Sequence, residues 1–326
     1  MNLKNKENIY IVCPAKIATG GTELLHQLLY KLEKNNKKVF MYYVGDITGD
    51  PVAERFKKYN PKYITDIKKI EDKKENLIIV PETITEELNI LKNIGKCIWW
   101  LSVDNHLRTR HRKNLKYHIK KIFNKLERPE VDYSDKNIYH LYQSEYAKDY
   151  LEKNGVKNLE YLSDYLNDTF LREEVEYTGK NREDIVLYNP LKGIEFTKEI
   201  MDRAKNIKFI ALEKMSPEEI KDICKKSKIY IDFGEHPGKD RFPREASLLG
   251  CLIITGKKGS ALNNVDVPLL SKYKFEDEDK NINIIIQTIE KLFTDYDKNI
   301  KDFESYILRT KNEEKEFEKD VLKIFG

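Results

Sequence analysis

Two hydropathy periods take turns along this chain, and that alternation restricts its fold more than any other feature. Short runs rich in β-branched and aromatic residues stand at 9–13, 39–43, 77–80, 97–101 and 138–142, and again at 185–188, 208–212, 228–233 and 251–255. Between them lie segments with helical patterning: 22–33, 85–93, 109–126 and 145–154 in the first half, and 195–204, 217–226 and 243–249 in the second. In the first of these, Leu24, Leu25, Leu28, Leu29 and Leu32 share one face. Ser216-Pro217-Glu218-Glu219 predicts a helix start, with a serine cap, a proline in the first turn and a glutamate that closes a capping box. Strands that alternate with helices imply an α/β fold with parallel sheets covered on both faces.

The pattern breaks at the polar segment 167–183, which reads as a linker between an N-terminal domain, 1–166, and a C-terminal domain, 184–308. Residues 309–326 form a closing helix, on which Phe317, Val321, Ile324 and Phe325 make a stripe that needs a surface to cover it. With 40% hydrophobic residues in 326, the chain has enough to bury for a globular protein. No apolar run is long enough to span a bilayer, and the first residues read as a strand start rather than a signal peptide. Cys13, Cys97, Cys224 and Cys251 are far apart in apolar contexts with no C-x-x-C pair, which predicts buried thiols in a reducing cytoplasm and no zinc ribbon. A net charge of +4 does not make the whole chain a nucleic-acid footprint.

Four places carry chemistry. After the first strand, Gly20 and Gly21 precede a helix whose free N–H groups suit an anion; a tight strand-to-helix turn explains them equally, and no dinucleotide fingerprint is present. After the strand at 97–101, Asp104 and His106 stand where open α/β sheets bind ligands, and either is a candidate general base; a capping Asp and a surface His are the plain alternative. Next comes a basic amphipathic helix with Arg110, Arg112, Lys113, Lys120 and Lys121, suited to an acidic acceptor or an anionic membrane surface, or to an ordinary solvated face. No recognised nucleic-acid module accompanies it.

The densest site lies between Asp232 and Glu245. Here Glu235, His236, Lys239, Asp240, Arg241, Arg244 and Glu245 cluster around Gly234 and Gly238, between two apolar strands. Carboxylates suit ribose or sugar hydroxyls, and Lys and Arg suit a diphosphate. Upstream, Lys192 beside Gly193 follows the strand at 185–188.

In this order the motifs resemble those of the GT-B glycosyltransferases, in particular the bacterial group 1 (family 4-like) branch, over nearly the whole chain. Gly20–Glu23 is similar to that branch's N-terminal glycine loop. Gln143–Gly155 resembles the serine-started helix and short strand that end its first domain. Asn189–Gly193 resembles its lysine-glycine element, and Phe233–Cys251 its two-glutamate donor motif. The resemblance implies two facing Rossmann-like domains, with the last helix returning to the first. It assigns Lys192 to the donor diphosphate, Glu245 to the ribose and Glu235 to the sugar, and counts Gly20, Gly21, His236, Lys239, Arg241 and Arg244 with them as donor-binding. The interval between Glu235 and Glu245 is longer than in the branch, which leaves Asp240 and His236 as alternatives for the sugar-facing role. The branch's diphosphate arginine is absent upstream of Lys192, with Lys239, Arg241 or Arg244 as replacements.

The expected activity is sugar transfer from a nucleotide sugar to a hydroxyl of a glycan or lipid-linked acceptor, in bacterial surface glycan synthesis. It needs no metal or other cofactor and no nucleic-acid partner. The expected location is the cytoplasm, with peripheral contact at the inner face of the cell membrane. A non-catalytic sugar- or nucleotide-binding protein and a sugar-nucleotide epimerase or hydrolase are the alternatives on the same fold.

Overall fold

The computed structural model describes residues 2–110, 131–239 and 241–326. The chain forms two compact units, Met1–Asp164 with Lys315–Gly326, and Tyr165–Glu314.

The first unit carries a seven-stranded, all-parallel sheet. Its strands are β1 (Asn8–Pro14), β2 (Lys38–Val44), β3 (Tyr63–Ile64), β4 (Leu77–Pro81), β5 (Gly95–Trp100), β6 (Ile138–Tyr142) and β7 (Leu159–Tyr161), in the order β3-β2-β1-β4-β5-β6-β7. Helices α1 (Gly20–Lys34), α2 (Val103–Arg110) and α3 (Glu145–Lys153) accompany it. Every residue of β4 is buried, as expected of an interior strand covered on both faces. Trp99 and Trp100 are fully buried core residues of β5.

The second unit carries a five-stranded, all-parallel sheet of β8 (Glu183–Tyr188), β9 (Lys208–Ala211), β10 (Ser227–Asp232), β11 (Leu252–Gly256) and β12 (Lys274–Phe275), ordered β12-β11-β10-β8-β9. Its helices are α4 (Asp168–Leu171), α5 (Ile194–Arg203), α6 (Pro217–Lys226), α7 (Arg241–Leu248), α8 (Ile282–Thr294) and α9 (Tyr296–Asn299). The capping box expected at Ser216 is present, with Ser216 Oγ accepting from the Glu219 N–H at 3.3 Å and Glu219 Oε2 accepting from the Ser216 N–H at 2.7 Å. Helix α10 (Glu304–Phe325) begins in the second unit and ends in the first. Its final stripe is covered: Phe317, Val321, Ile324 and Phe325 are buried, and Phe317 stacks on Trp99 with ring centroids 6.2 Å apart.

Two expectations change, and a third falls mostly outside the described residues. The segment read as a helix at 85–93 is a single 3₁₀ turn, Thr85–Asn89. Helix α7 starts two residues earlier than its proline suggested, because Pro243 is tolerated anywhere in a first turn, where N–H groups have no intrahelical partner. The helix read at 109–126, with Arg112, Lys113, Lys120 and Lys121, lies outside the described residues, while Arg110 closes α2, which starts at Val103. Asp104 and His106 therefore sit in the first turns of a helix after β5.

Both sheets have a topological switch. In the first, the chain builds outward from β1 through β2 to β3, then returns to lay β4 against the other side of β1. In the second, β9 is added to one side of β8 and β10 to the other. Parallel α/β sheets open a crevice at the carboxyl ends of the two strands that flank such a reversal. The opposite edge of the second sheet is closed by Arg182. Its guanidinium donates to the carbonyls of Cys224 (3.0 Å), Ser227 (2.8 Å) and Leu249 (2.7 Å), tying the ends of α6 and α7 to the start of β10.

At the crevice edge, Gly193 has a φ of +58°, and an added Cβ would overlap the backbone of Phe233 and Gly234. Gly155 has a φ of +83° with nothing within 4 Å of its added Cβ. Gly193→Ala is expected to cost about 3 kcal/mol or more, combining backbone strain with overlap. Gly155→Ala should cost only about 1 kcal/mol, from backbone conformation alone. Urea unfolding of the two variants checks the difference.

Candidate functional site

The second unit's crevice is built from three loops that follow β8, β10 and β11. The β8 loop turns on Asn189, whose Oδ1 accepts from the Leu191 N–H at 3.0 Å, and it ends at Gly193, where α5 begins. Lys192, half-buried, precedes that glycine. The β10 loop turns on Asp232, whose Oδ1 accepts from the Gly234 N–H at 3.0 Å while its Oδ2 accepts from the Tyr230 hydroxyl at 3.0 Å. The two loops meet backbone to backbone, since a Cβ on Gly234 would overlap Lys192 Cβ just as one on Gly193 would overlap Phe233. The β11 loop closes the other side: the Ser260 N–H donates to His236 O at 2.8 Å and its Oγ donates to Gly238 O at 2.6 Å. Gly259, with a φ of +53°, leaves no room for a Cβ against His236.

The ionic groups of the β10 loop divide by burial. Glu235 is exposed, and Arg241 is partly so. Glu245, in the first turns of α7, is 7% exposed, and its Oε1 accepts from Arg241 Nε at 3.4 Å. Lys239 and Arg244 point elsewhere. Lys239 Nζ lies 3.1 Å from Glu313 Oε1, Arg244 Nη1 lies 2.6 Å from Glu313 Oε2, and Arg244 Nη2 donates to Lys239 O at 3.0 Å. All three side chains are nearly fully buried, so these two cations are internal ties between the loop and α10. His236 is also fully buried, with Nε2 3.7 Å from Asp232 Oδ1. Asp277, after β12, lies 2.6 Å from Lys258 Nζ, and burial raises its carboxyl above the ordinary range.

In the first unit, the crevice lies where β1 and β4 end. Gly20 and Gly21 open α1, capped by Thr19 in a capping box with Thr22. Gly21 has no positive φ, and an added Cβ would make only an ordinary 3.7 Å contact with Leu101, so neither backbone nor packing demands a glycine there. Glu23, fully buried, pairs with Arg55 at 2.9 Å. Across the crevice, Asp104 is partly exposed and accepts from the Tyr146 hydroxyl at 2.8 Å. His106 has no exposed surface. Its Nδ1 is 2.8 Å from Glu82 O and its Nε2 is 3.1 Å from the Tyr133 hydroxyl. Of the two candidate bases, Asp104 is therefore the one with access to solvent.

Within the second unit, the fold brings Lys192 to the same crevice as the residue 232–245 loop, from a position 40 residues upstream of Asp232. In the first unit, it adds a residue that sequence reasoning passed over. Glu82 follows β4, is 3% exposed, and accepts from the Leu101 N–H at 2.9 Å. Its one sequence signal was a carboxylate placed directly after a fully apolar strand. Among the described residues, no group of three or more His, Cys, Asp and Glu is placed to hold a metal ion, and no helix is long and apolar enough to cross a membrane.

No family model matches the chain, and no curated protein matches it in sequence. Several solved structures do resemble it. The sucrose-phosphate synthase from Thermosynechococcus elongatus is 12% identical, with 98% of this chain and 95% of that one covered and a TM-score of 0.57. Anabaena HepE in complex with UDP-glucose is 10% identical, with 97% and 98% covered and a TM-score of 0.58. The lipopolysaccharide outer core galactosyltransferase WaaB is 11% identical, with 97% and 99% covered and a TM-score of 0.55. At such identities the likeness establishes the fold: this is a GT-B-type α/β chain with two parallel-sheet Rossmann-like domains and a long C-terminal helix.

Glu313 is the shared carboxylate of Lys239 and Arg244. Glu313→Ala leaves two buried cations without it, and is expected to destabilise the protein by about 3 kcal/mol. Chemical denaturation measures this, and Glu316→Ala, an exposed residue of the same helix, serves as the near-neutral control.

Proposed function

We propose that the protein is a glycosyltransferase that moves a sugar from a nucleoside-diphosphate donor to a hydroxyl acceptor. The observation that carries this reading is the convergence of Lys192 and the residue 232–245 loop on the reversal point of the second sheet, packed through Gly193 and Gly234. In this reading Lys192 and Arg241 hold the diphosphate, together with the first turn of α7, and Glu245 accepts the ribose hydroxyls. Glu235 faces the sugar. Lys239, Arg244 and His236 hold the loop in shape from beneath. The departing diphosphate is stabilised by these fixed positive groups, which is the main electrostatic task of the reaction, and no metal is assigned to it.

The acceptor is assigned to the first unit. Asp104 is the base that takes the acceptor's proton. Arg110, Arg112, Lys113, Lys120 and Lys121 attract an anionic, lipid-linked or glycan acceptor, or the membrane that carries it. Surface glycan synthesis at the inner face of the bacterial cell membrane suits such a pairing. The UDP-glucose named with HepE makes uridine nucleotides the first donors to try.

Thermal melting with UDP, GDP, ADP, CMP and their sugar conjugates is the first check. One nucleoside diphosphate is expected to raise the melting temperature, and its sugar conjugate to release that nucleotide when membrane extract is added. Lys192→Ala and Glu245→Ala should each weaken nucleotide binding by about tenfold or more. If no nucleotide shifts the melt, the transferase reading falls; if one binds and both variants bind it equally well, the residue assignment falls. Binding without turnover identifies a non-catalytic binder, and turnover without an acceptor a hydrolase or epimerase.

Flotation with phosphatidylglycerol vesicles checks the basic segment. The protein should float at low salt and sediment at high salt, since the attraction is screened. Absence of binding at low salt removes the membrane contact.

A further inference from the structure

Glu82 occupies the reversal point of the first sheet, directly after β4. Its carboxylate accepts from the Leu101 N–H at 2.9 Å, and the backbone N–H groups of Leu101, Ser102 and Glu82 itself favour its ionised form. Its carbonyl oxygen lies 2.8 Å from His106 Nδ1. A single residue thus grips the junction of β5 and α2 at two points, one just before the helix and one within it. Asp104 lies between these points. Ser102 caps the same helix, its Oγ accepting from the Asn105 N–H at 3.3 Å.

We propose that Glu82 is the positioning residue of the first unit's crevice: without touching substrate, it fixes the turn that presents Asp104. The functional part of this claim rests on the reading of Asp104 as the base in glycosyl transfer. The structural part does not. An apolar residue in place of Glu82 would leave the buried Leu101 N–H without its acceptor, a loss that costs more than one ordinary hydrogen bond.

Glu82 also gives the turn a titration. Burial pushes its carboxyl up from 4.5 to about 7, opposed by the three N–H groups. The flanking elements carry titratable groups, among them Asp104, His106 and Arg108 on α2, Glu86 and Glu87 on the 3₁₀ turn after β4, and Glu23 and His26 on α1. None of them is among the causes of the shift. Because the folded value lies above the unfolded one, the contribution of Glu82 to stability is complete below pH 4.5 and is lost as pH rises to about 7. The hydrogen bond to Leu101 changes in the opposite sense, since the ionised carboxylate is the stronger acceptor.

The two tryptophans of the protein, Trp99 and Trp100, end the strand that this turn follows, and Trp100 packs against His106 with ring centroids 4.6 Å apart and planes tilted by 58°. Their fluorescence reads the turn without any ligand. In the wild type it should titrate with a midpoint near pH 7, and in Glu82→Gln, which keeps size and an acceptor, that transition should vanish. Hydrogen exchange at Leu101 and Ser102 should accelerate about tenfold or more in Glu82→Ala and return toward the wild-type rate in Glu82→Gln. A transition near pH 7 that persists in Glu82→Gln, or unchanged exchange in Glu82→Ala, overturns the proposal. With any donor that turns over, kcat of the wild type should rise through pH 7, and that limb should be absent from Glu82→Gln while KM for the donor is unchanged. A shared limb limits Glu82 to structure and overturns its link to Asp104. If no donor turns over, the transferase reading fails separately, while fluorescence and exchange still decide whether Glu82 holds the turn.

Discussion

The approach of two backbones at the reversal point of the second sheet sets the terms for the whole crevice of the second unit. The Lys192–Gly193 turn lies directly on Phe233 and Gly234, with no side chain between them. Only two glycines allow that distance, and one of them must also adopt a left-handed conformation. The contact fixes where Lys192 stands relative to the residue 232–245 loop. The neighbouring contact of Gly259 with His236, and the hydrogen bonds of Ser260, then set the other side. Close packing of loops serves here as the means of placing charge.

Charge in this protein falls into two classes, and distance along the chain does not distinguish them. Lys239, Arg244 and Arg241 are neighbours in sequence. Two of them are turned inward onto Glu313, and the third lies at the surface of the loop beside Glu245. Buried ionic clusters cost desolvation, so their retention fits a role in holding one loop conformation rather than in adding stability. Glu23 in the first unit differs: its carboxylate is buried, but its partner Arg55 is half exposed. Such inward ties leave Glu235 and Arg241 as the more exposed ions of the loop.

How much of this could be read beforehand follows from the range over which each force acts. The interior strands were legible because burial on both faces leaves unbroken apolar runs such as that of β4. The α6 cap was legible because all its parts lie within four residues. The two-residue strands β3 and β12 were not, since a pair of residues has no period. The loop carrying Glu235 and Glu245 was visible as a density of ionisable groups. Which of its cations are tied inward was not visible, because their carboxylate lies 69 residues downstream of Arg244 in a helix that reads as polar. Glu82 escaped notice for a similar reason: its partner, the Leu101 N–H, becomes a neighbour only when β4 and β5 pair. His106 read as a candidate base or a surface residue, and its burial against the hydroxyl of Tyr133, from a distant segment, was not visible.

Arg182 gathers three carbonyls at the edge of the second sheet away from the crevice, and Gly250 gives it room, since an added Cβ there would strike the guanidinium. The knot and the crevice thereby lie at opposite ends of the same strands. Loops beyond the carboxyl ends can change in length or composition while this knot keeps the strands in register. A lineage built on this scaffold is free to drift at one rim, provided that a single arginine at the other is left alone.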